Sequence, residues 1–303
     1  MASSSYRGRF APSPSGPLHF GSLVAAVASY ADARHNAGEW LVRIEDVDQT
    51  RTRPDAERQI LAALKAFGMH WDEQPVRQSE RGIHYDDALQ TLIETGHAYR
   101  CNCSRRLIAT MARVGSEGPI YPGTCRSKPP DPKRAAAWRL AVGDELLHVE
   151  DRVVGGIQQN LAADIGDFVI RRIDGFTAYQ LAVVVDDHAQ GISDIVRGAD
   201  LLWSTPRQNL LQRLLGYPSP RYAHIPLVYG ADGHKLSKSD NAHVVELARP
   251  VRSLRAAWRH LGQQQAPADL DNPMAFWKWA IPRWRIERVP SDRNDGHERS
   301  DSL

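Results

Sequence analysis

The chain has 303 residues, of which 42% are hydrophobic and 24% charged, with a formal net charge of +2. Such a balance fits a soluble globular protein of one large or two modest domains. Bulk charge does not mark it as a nucleic-acid binder, so any polyanion has to be met by local patches. No apolar run approaches the length of a membrane span, and the opening MASSSYRGRF lacks the apolar core of a secretory leader. Three cysteines argue against a disulfide framework and for a reducing cytoplasm.

In chain order, YRGRFAPS reads as a short strand that ends in a proline-rich turn, Pro12 to Pro17. Leu23, Val27, Tyr30 and Arg34 then recur at helical spacing, with Gly38 as a stop. EWLVRIED is a strand. Pro54 opens a helix carrying Ile60, Leu61, Leu64 and Phe67, closed by Gly68. Tyr85, Leu89, Leu92 and Ile93 form another, closed by Gly96. This alternation predicts a doubly wound α/β domain with a parallel sheet. From about 99 to 175 the rhythm breaks; that stretch holds all three cysteines and reads as an insertion. The rhythm resumes at YQLAVVVDD, where the continuous apolar run Leu181 to Val185 suggests a strand buried on both faces. ADLLWSTPRQNLLQRLLG follows as a helix.

The expected organisation is therefore a Rossmann-type domain in two halves, residues 1–98 and 176–245. A smaller domain, 99–175, is inserted between them. Residues 246–287 form a helical C-terminal segment, and 288–303 is a polar tail without periodicity. In that C-terminal segment PVRSLRAAWRHLG is amphipathic, with Leu254, Trp258 and Leu261 inward and Arg252, Arg255 and Arg259 in one stripe. The stripe suits an RNA backbone, although such stripes are more often only solvated faces. NPMAFWKWAI makes a second helix.

Three constellations carry chemistry. Arg9 to Ser22, RFAPSPSGPLHFGS, lies between a strand end and a helix start, where free N–H groups and the helix dipole favour phosphate. There His19 can donate to phosphate oxygens and Gly21 permits close approach. The loop Lys235-Leu236-Ser237-Lys238-Ser239 offers two lysines that could stabilise a leaving pyrophosphate. Cys101-x-Cys103 with Cys125 further on suggests zinc, which takes four ligands; by spacing His97, Tyr121 or His148 could supply the fourth.

Together PSGPLHFGS and KLSKS resemble the HIGH and KMSKS signatures of class I aminoacyl-tRNA synthetases. GRFAPSPSGPLHFGSL, LVRIEDVDQTR, AYRCNCSR and AYQLAVVVDDHAQGISDIVRGADLL match the glutamyl and glutaminyl branch in order, over roughly residues 6 to 245. Two positions depart from the signatures: Ser22 stands where the second histidine would, and Leu236 replaces methionine.

The resemblance implies roles. Arg9, Phe10, Ala11, Pro12 and Ser13 with Glu45 would border the amino-acid pocket. Arg9 would pair with a side-chain carboxylate and Glu45 with the α-amino group, while Tyr179 and Arg197 complete the pocket. A guanidinium at both ends suits glutamate. His19, Gly21, Lys235 and Lys238 would contact ATP, with Lys238 and His19 the catalytic groups and Mg2+ accompanying the triphosphate. A subgroup of short glutamyl-synthetase-like proteins uses Cys, Cys, Tyr and Cys at the spacing of Cys101, Cys103, Tyr121 and Cys125; the zinc would be structural.

The chain ends soon after its KLSKS loop, with no room for an anticodon-reading domain. That pattern resembles the glutamyl-Q tRNA(Asp) synthetase family. The resemblance implies activation of L-glutamate without tRNA, then transfer to queuosine at the wobble position of tRNA(Asp) by a monomeric cytoplasmic enzyme. Competing readings are a short enzyme charging a tRNA 3′ end, a ligase for a non-tRNA acceptor, and a non-catalytic regulator.

Overall fold

The computed structural model describes residues 6–115, 118–229 and 245–291. Strands β1 (Arg7–Phe10), β2 (Glu39–Ile44) and β3 (Val76–Arg77) alternate with helices α1 (Phe20–His35), α2 (Ala56–Ala66) and α3 (Gly82–Glu94). The break in rhythm contains β4 (Ala98–Cys101), α4 (Arg105–Met111), the antiparallel pair β5 (Val114–Gly115) and β6 (Gly118–Pro119), and α5 (Thr124–Ser127). It continues through β7 (Ala137–Leu140), β8 (Leu146–Asp151), β9 (Gly155–Asn160), α6 (Leu161–Asp164) and β10 (Phe168–Arg171). Then come α7 (Tyr179–Ala189), β11 (Asp194–Gly198), α8 (Thr205–Leu215), β12 (Arg221–Ile225), α9 (Pro250–His260) and α10 (Pro273–Ala280).

A seven-stranded sheet runs in the order β3-β2-β1-β11-β12-β8-β9. Six strands are parallel, and β9 closes the edge antiparallel to β8. From β1 the chain moves outward to β2, and from β11 outward the other way to β12. The β1/β11 boundary is therefore a topological switch point, the place where such sheets bind ligands. The stretch 99–175 divides. It gives β8 and β9 to the central sheet, while β10-β7-β4 form a separate three-stranded sheet.

Local sequence explains most boundaries. Helix α1 carries alanines on its buried length and starts at His19, whose Nδ1 accepts from Ser22 N–H. Its stop is shared by two residues: Ala37 takes the left-handed conformation, and a Cβ on Gly38 would stand 2.4 Å from the Tyr6 carbonyl oxygen. Helix α8 starts later than expected, because Pro206 fits its first turn and Ala199–Ser204 is a 3-10 segment instead.

The run Leu181 to Val185 is helical, not a strand. It lies inside α7, which packs against α3, α8 and β10 and buries Leu181 through Asp187. A helix covered on every side shows no polar face, so its apolar run carries no period that could separate it from a buried strand.

The C-terminal segment docks on the first half. Leu254, Trp258 and Leu261 of α9 and its following turn are fully buried in the main core, as their spacing suggests. Trp258 meets Phe276, Trp279 and Trp284 in an aromatic cluster. Two indoles bond back to the first half: Trp277 Nε1 donates to Phe67 O at 2.8 Å and Trp284 Nε1 to Asp32 Oδ1 at 2.9 Å. Among the described residues no helix is long and apolar enough to cross a membrane.

Candidate active site

A cleft of about 720 Å³ opens beyond the carboxyl ends of β1, β2, β11 and β12. Arg9, Phe10, Ala11, Pro12, Ser13, His19, Gly21, Glu45, Tyr179 and Arg197 all line it. Segments far apart in the chain converge there because each follows a neighbouring parallel strand or opens a helix beside one. Lys235 and Lys238 lie outside the described residues. The chain on either side of that segment reaches the cleft: Pro226, Leu227 and Val228 line it, and Val245 N–H donates to the carbonyl of Leu18, itself in the wall.

At the end of the cleft formed by the start of α1, His19 caps the helix. Its Nε2 lies 2.9 Å from Ser22 Oγ while Nδ1 accepts from Ser22 N–H. With Nδ1 accepting, the ring proton sits on Nε2 and points to the hydroxyl. The serine in place of the signature's second histidine thus holds the first one. A Cβ on Gly21 would touch the His19 ring at 3.4 Å.

At the deep end the floor is ionic. Arg9, 3% exposed, donates from Nε to Asp187 Oδ1 at 3.1 Å. Arg43 is wholly buried and donates to the same oxygen at 2.8 Å and to Gln190 Oε1 at 2.8 Å. Burial alone would raise the Asp187 carboxyl; Arg43 and Arg9 outweigh it and hold it below the ordinary range. Asp186 beside it accepts from Gln78, Tyr85 and Arg81. Glu45 stands 3.5 Å from Arg43 Nη2, and its buried Oε1 has no hydrogen-bond partner. Burial pushes its carboxyl up, against the pull of Arg43 and Arg9. Arg197 is 4% exposed, and its buried Nη1 is likewise without a partner. Buried polar atoms are rarely left unpaired. An acceptor and a cationic donor left open in one cleft match the amino and carboxylate groups of an amino acid.

Sequence reasoning missed the floor residues Arg43, Asp186, Asp187 and Gln190. The signal for the acids was Asp186-Asp187 at the end of a long apolar run. Read as a strand, that pair falls on opposite faces; on a helix both turn toward the floor.

The second cluster lies at the end of β4, beside the separate small sheet. The sulfurs of Cys101, Cys103 and Cys125 fall within 4.8 Å of one another, with Cys103 and Cys125 at 3.5 Å. Tyr121 Oη stands 3.3 Å from Cys101 Sγ and 3.7 Å from Cys103 Sγ, and accepts from Cys125 N–H at 2.9 Å. Three sulfurs around one centre fit a tetrahedral ion with metal–sulfur bonds of about 2.3 Å, and the phenol occupies the open side. Neither His97 nor His148 joins the cluster; His148 projects from β8 in the central sheet. Burial and the thiols push the phenol up, and burial pushes Cys103 up to about 11. A bound cation reverses that balance by favouring the deprotonated ligands. Arg139 covers the Tyr121 ring at 4.0 Å.

This architecture is that of a class I tRNA synthetase. Residues 5–253 match the family of class I tRNA synthetases (E and Q), catalytic domain. In structure the chain is similar to a glutamate tRNA ligase from Elizabethkingia meningosepticum solved with its amino acid. The TM-score is 0.79 at 26% identity, over 95% of this chain and 66% of that one. A methionyl-tRNA synthetase from Mycobacterium tuberculosis shares the fold at 11% identity and TM-score 0.56, over 86% of this chain and 64% of that one. In sequence it is 50% identical over 291 residues to a glutamyl-Q tRNA(Asp) synthetase from Chromobacterium violaceum, covering 96% of this chain and 97% of the relative. A protein of the same name from Verminephrobacter eiseniae is 52% identical over 292 residues, 94% of this chain and 99% of that one. The chain belongs to the glutamyl-Q tRNA(Asp) synthetase family within the class I E and Q synthetases.

Proposed function

We propose that the protein activates L-glutamate with ATP and transfers it to queuosine in tRNA(Asp). The observation that carries this reading is half identity with glutamyl-Q tRNA(Asp) synthetases over nearly their whole length. In the first step a glutamate α-carboxylate oxygen attacks the α-phosphorus of ATP. Its bond to the bridging oxygen breaks, and pyrophosphate leaves. In the second a hydroxyl of the queuosine cyclopentenediol attacks the acyl carbon, loses its proton, and displaces AMP to leave an ester.

Arg9 takes the substrate's side-chain carboxylate, with its guanidinium plane fixed by Asp187. Glu45 meets the ammonium group, and Tyr179 and Arg197 close the pocket around the second carboxylate. His19 and Gly21 at the start of α1 cradle the phosphates. Lys235 and Lys238 stabilise charge that develops on the pyrophosphate, the kind of electrostatic help this chemistry needs. Mg2+ bound with ATP neutralises the triphosphate. Cys101, Cys103, Cys125 and Tyr121 hold a structural zinc that staples the insert, and the insert helps to seat the acceptor RNA. The reading carries with it the cytoplasm, where tRNA and ATP meet, and a monomer.

The test is transfer of labelled glutamate, with ATP, to bulk tRNA from cells that make queuosine and from cells that cannot. Label confined to the tRNA(Asp) fraction of the first pool is expected. Equal labelling of both pools in the tRNA(Glu) fraction would mean a 3′-charging enzyme. Glutamate-dependent pyrophosphate exchange with no labelled tRNA would mean a different acceptor.

A further inference from the structure

Three groups tie down Arg197, and one of them has a defined protonation state. Strands β11 and β12 run in parallel register, with Arg197 opposite His224, so the two side chains share a face. Arg197 Nη2 donates to Thr205 Oγ1 at 2.9 Å and to Leu201 O at 3.2 Å, and Nε lies 2.9 Å from His224 Nε2. Only Nη1 is left over. A guanidinium cannot accept a hydrogen bond, so Nε2 must present its lone pair. The ring proton is then on Nδ1, 2.6 Å from Asp151 Oδ2. Asp151 cannot turn away, because its Oδ1 accepts from the N–H groups of Val153, Val154 and His224.

We infer that Asp151 and His224 are positioning residues for the reaction: Asp151 fixes the His224 tautomer, His224 takes the Arg197 Nε–H, and Nη1 is thereby aimed at a substrate carboxylate. The inference rests on the reading that Arg197 meets the amino acid. The charged and titratable groups facing His224 are Asp151 from β8, Arg197 from β11, Asp200 from the turn after β11, and the Tyr222 ring stacked on the same strand. Burial, helped by the Arg197 charge, brings the imidazole down to about 4 despite Asp151. Doubly protonated, it would set N–H against N–H and lose the contact.

The test uses the full chain and glutamate-dependent ATP–pyrophosphate exchange. His224→Ala is expected to raise KM for glutamate about 10- to 100-fold, the range carried by a hydrogen bond to a charged group. Neither kcat nor KM for ATP should move more than about threefold. His224→Gln, whose amide oxygen falls near the place of Nε2, should restore glutamate KM. His224→Asn keeps a donor toward Asp151 but offers Arg197 no acceptor, so it should behave like alanine. If Arg197→Ala raises KM while the alanine and asparagine variants at 224 do not, the inference is overturned and the reading of Arg197 stands. If Arg197→Ala itself leaves KM unchanged, the reading fails instead. Should the variants not fold, 15N shifts of the wild-type histidine decide: a proton on Nδ1 supports the inference and one on Nε2 overturns it.

Discussion

The cleft floor and the cysteine cluster both gather residues that suit a ligand, yet their relation to the fold is opposite. The floor sits at the switch point of a seven-stranded sheet backed by the main core. Its charges hold one another, Arg9 and Arg43 both donating to Asp187. The apolar neighbourhood of the cysteines is little more than the cluster itself: Cys101, Tyr121 and Cys125, with Tyr99, Cys103 and Ile108 packed against them. In the first region the fold builds the site. In the second a metal held by the cysteines would staple a patch that has few apolar contacts of its own.

The sharpest way to break that contrast is Arg9→Ala. Asp187 keeps its bond to Arg43, so the floor should persist while the substrate carboxylate loses its partner. kcat/KM for glutamate in pyrophosphate exchange should fall about a hundred- to a thousandfold, the loss expected when a buried charge is left unpaired, with the melting temperature shifted by no more than a few degrees. A collapse of stability equal to the loss of activity would mean that the floor is not independent of its side chains.

The opposite pattern is expected of the insert. Cys103→Ser, or exhaustive chelation of the wild type, should bring metal content, measured by atomic emission, from one ion per chain toward none. It should lower the melting temperature by several degrees, roughly what 2–3 kcal/mol does in a chain of this size. Protease cutting within 99–140 should rise first, and KM for glutamate should stay within about threefold. Unchanged metal content would remove Cys103 from the site. A parallel loss of glutamate affinity would erase the distinction between the two regions.

How much of each region was legible follows the same division. The cleft-lining residues fall in short ordered strings whose chemistry can be read locally: a proline-rich turn before a helix, an acid after a strand. The cysteines announce themselves by type and spacing. What escaped was tertiary. Arg43 reads as an ordinary strand arginine until Asp187 of α7 and Gln190, the residue that caps its end, are brought over it, and α7 itself hides as a strand because its residues 181–187 are all buried. His224 stands in YAHIPL with no polar neighbour in sequence, and only the β11/β12 register and the end of β8 give it Arg197 and Asp151.

That histidine also separates the regions by pH. Its folded pKa of about 4 lies below its ordinary value of 6.5, so between those values the unfolded chain binds a proton that the folded one refuses. This part of the stability is therefore full above pH 6.5 and lost as pH falls toward 4. The depressed carboxyls Asp151 and Asp187 act in the same direction but only below their unfolded value of 3.8. At pH 5 the histidine should cost about 2 kcal/mol, a drop of roughly 4–6 °C in melting temperature relative to pH 7. His224→Gln should flatten that slope, whereas Cys103→Ser should leave it unchanged. An equal slope in wild type and His224→Gln would place the acid sensitivity elsewhere.

The smallest effect concerns neither region but the stripe on α9. Sequence spacing put Arg252, Arg255 and Arg259 together, yet Arg255 turns back to the carbonyls of Pro267 and Leu270. Its side chain thus braces the segment between α9 and α10, and two exposed arginines remain. Substituting both Arg252 and Arg259 by alanine should change stability by about 0.5 kcal/mol at most and leave pyrophosphate exchange intact, since neither lines the cleft. If the pair meets an RNA backbone, KM for tRNA in the transfer step should rise a few-fold and the dependence of log KM on log salt should flatten by about 1.5, two phosphate contacts' worth. Arg255→Ala should do the reverse, costing stability through two released carbonyls while the salt dependence stays as it was. An unchanged salt slope in the double variant would leave α9 as a packing helix whose outer face is merely solvated, and the acceptor RNA would then owe its hold to the cleft and the insert.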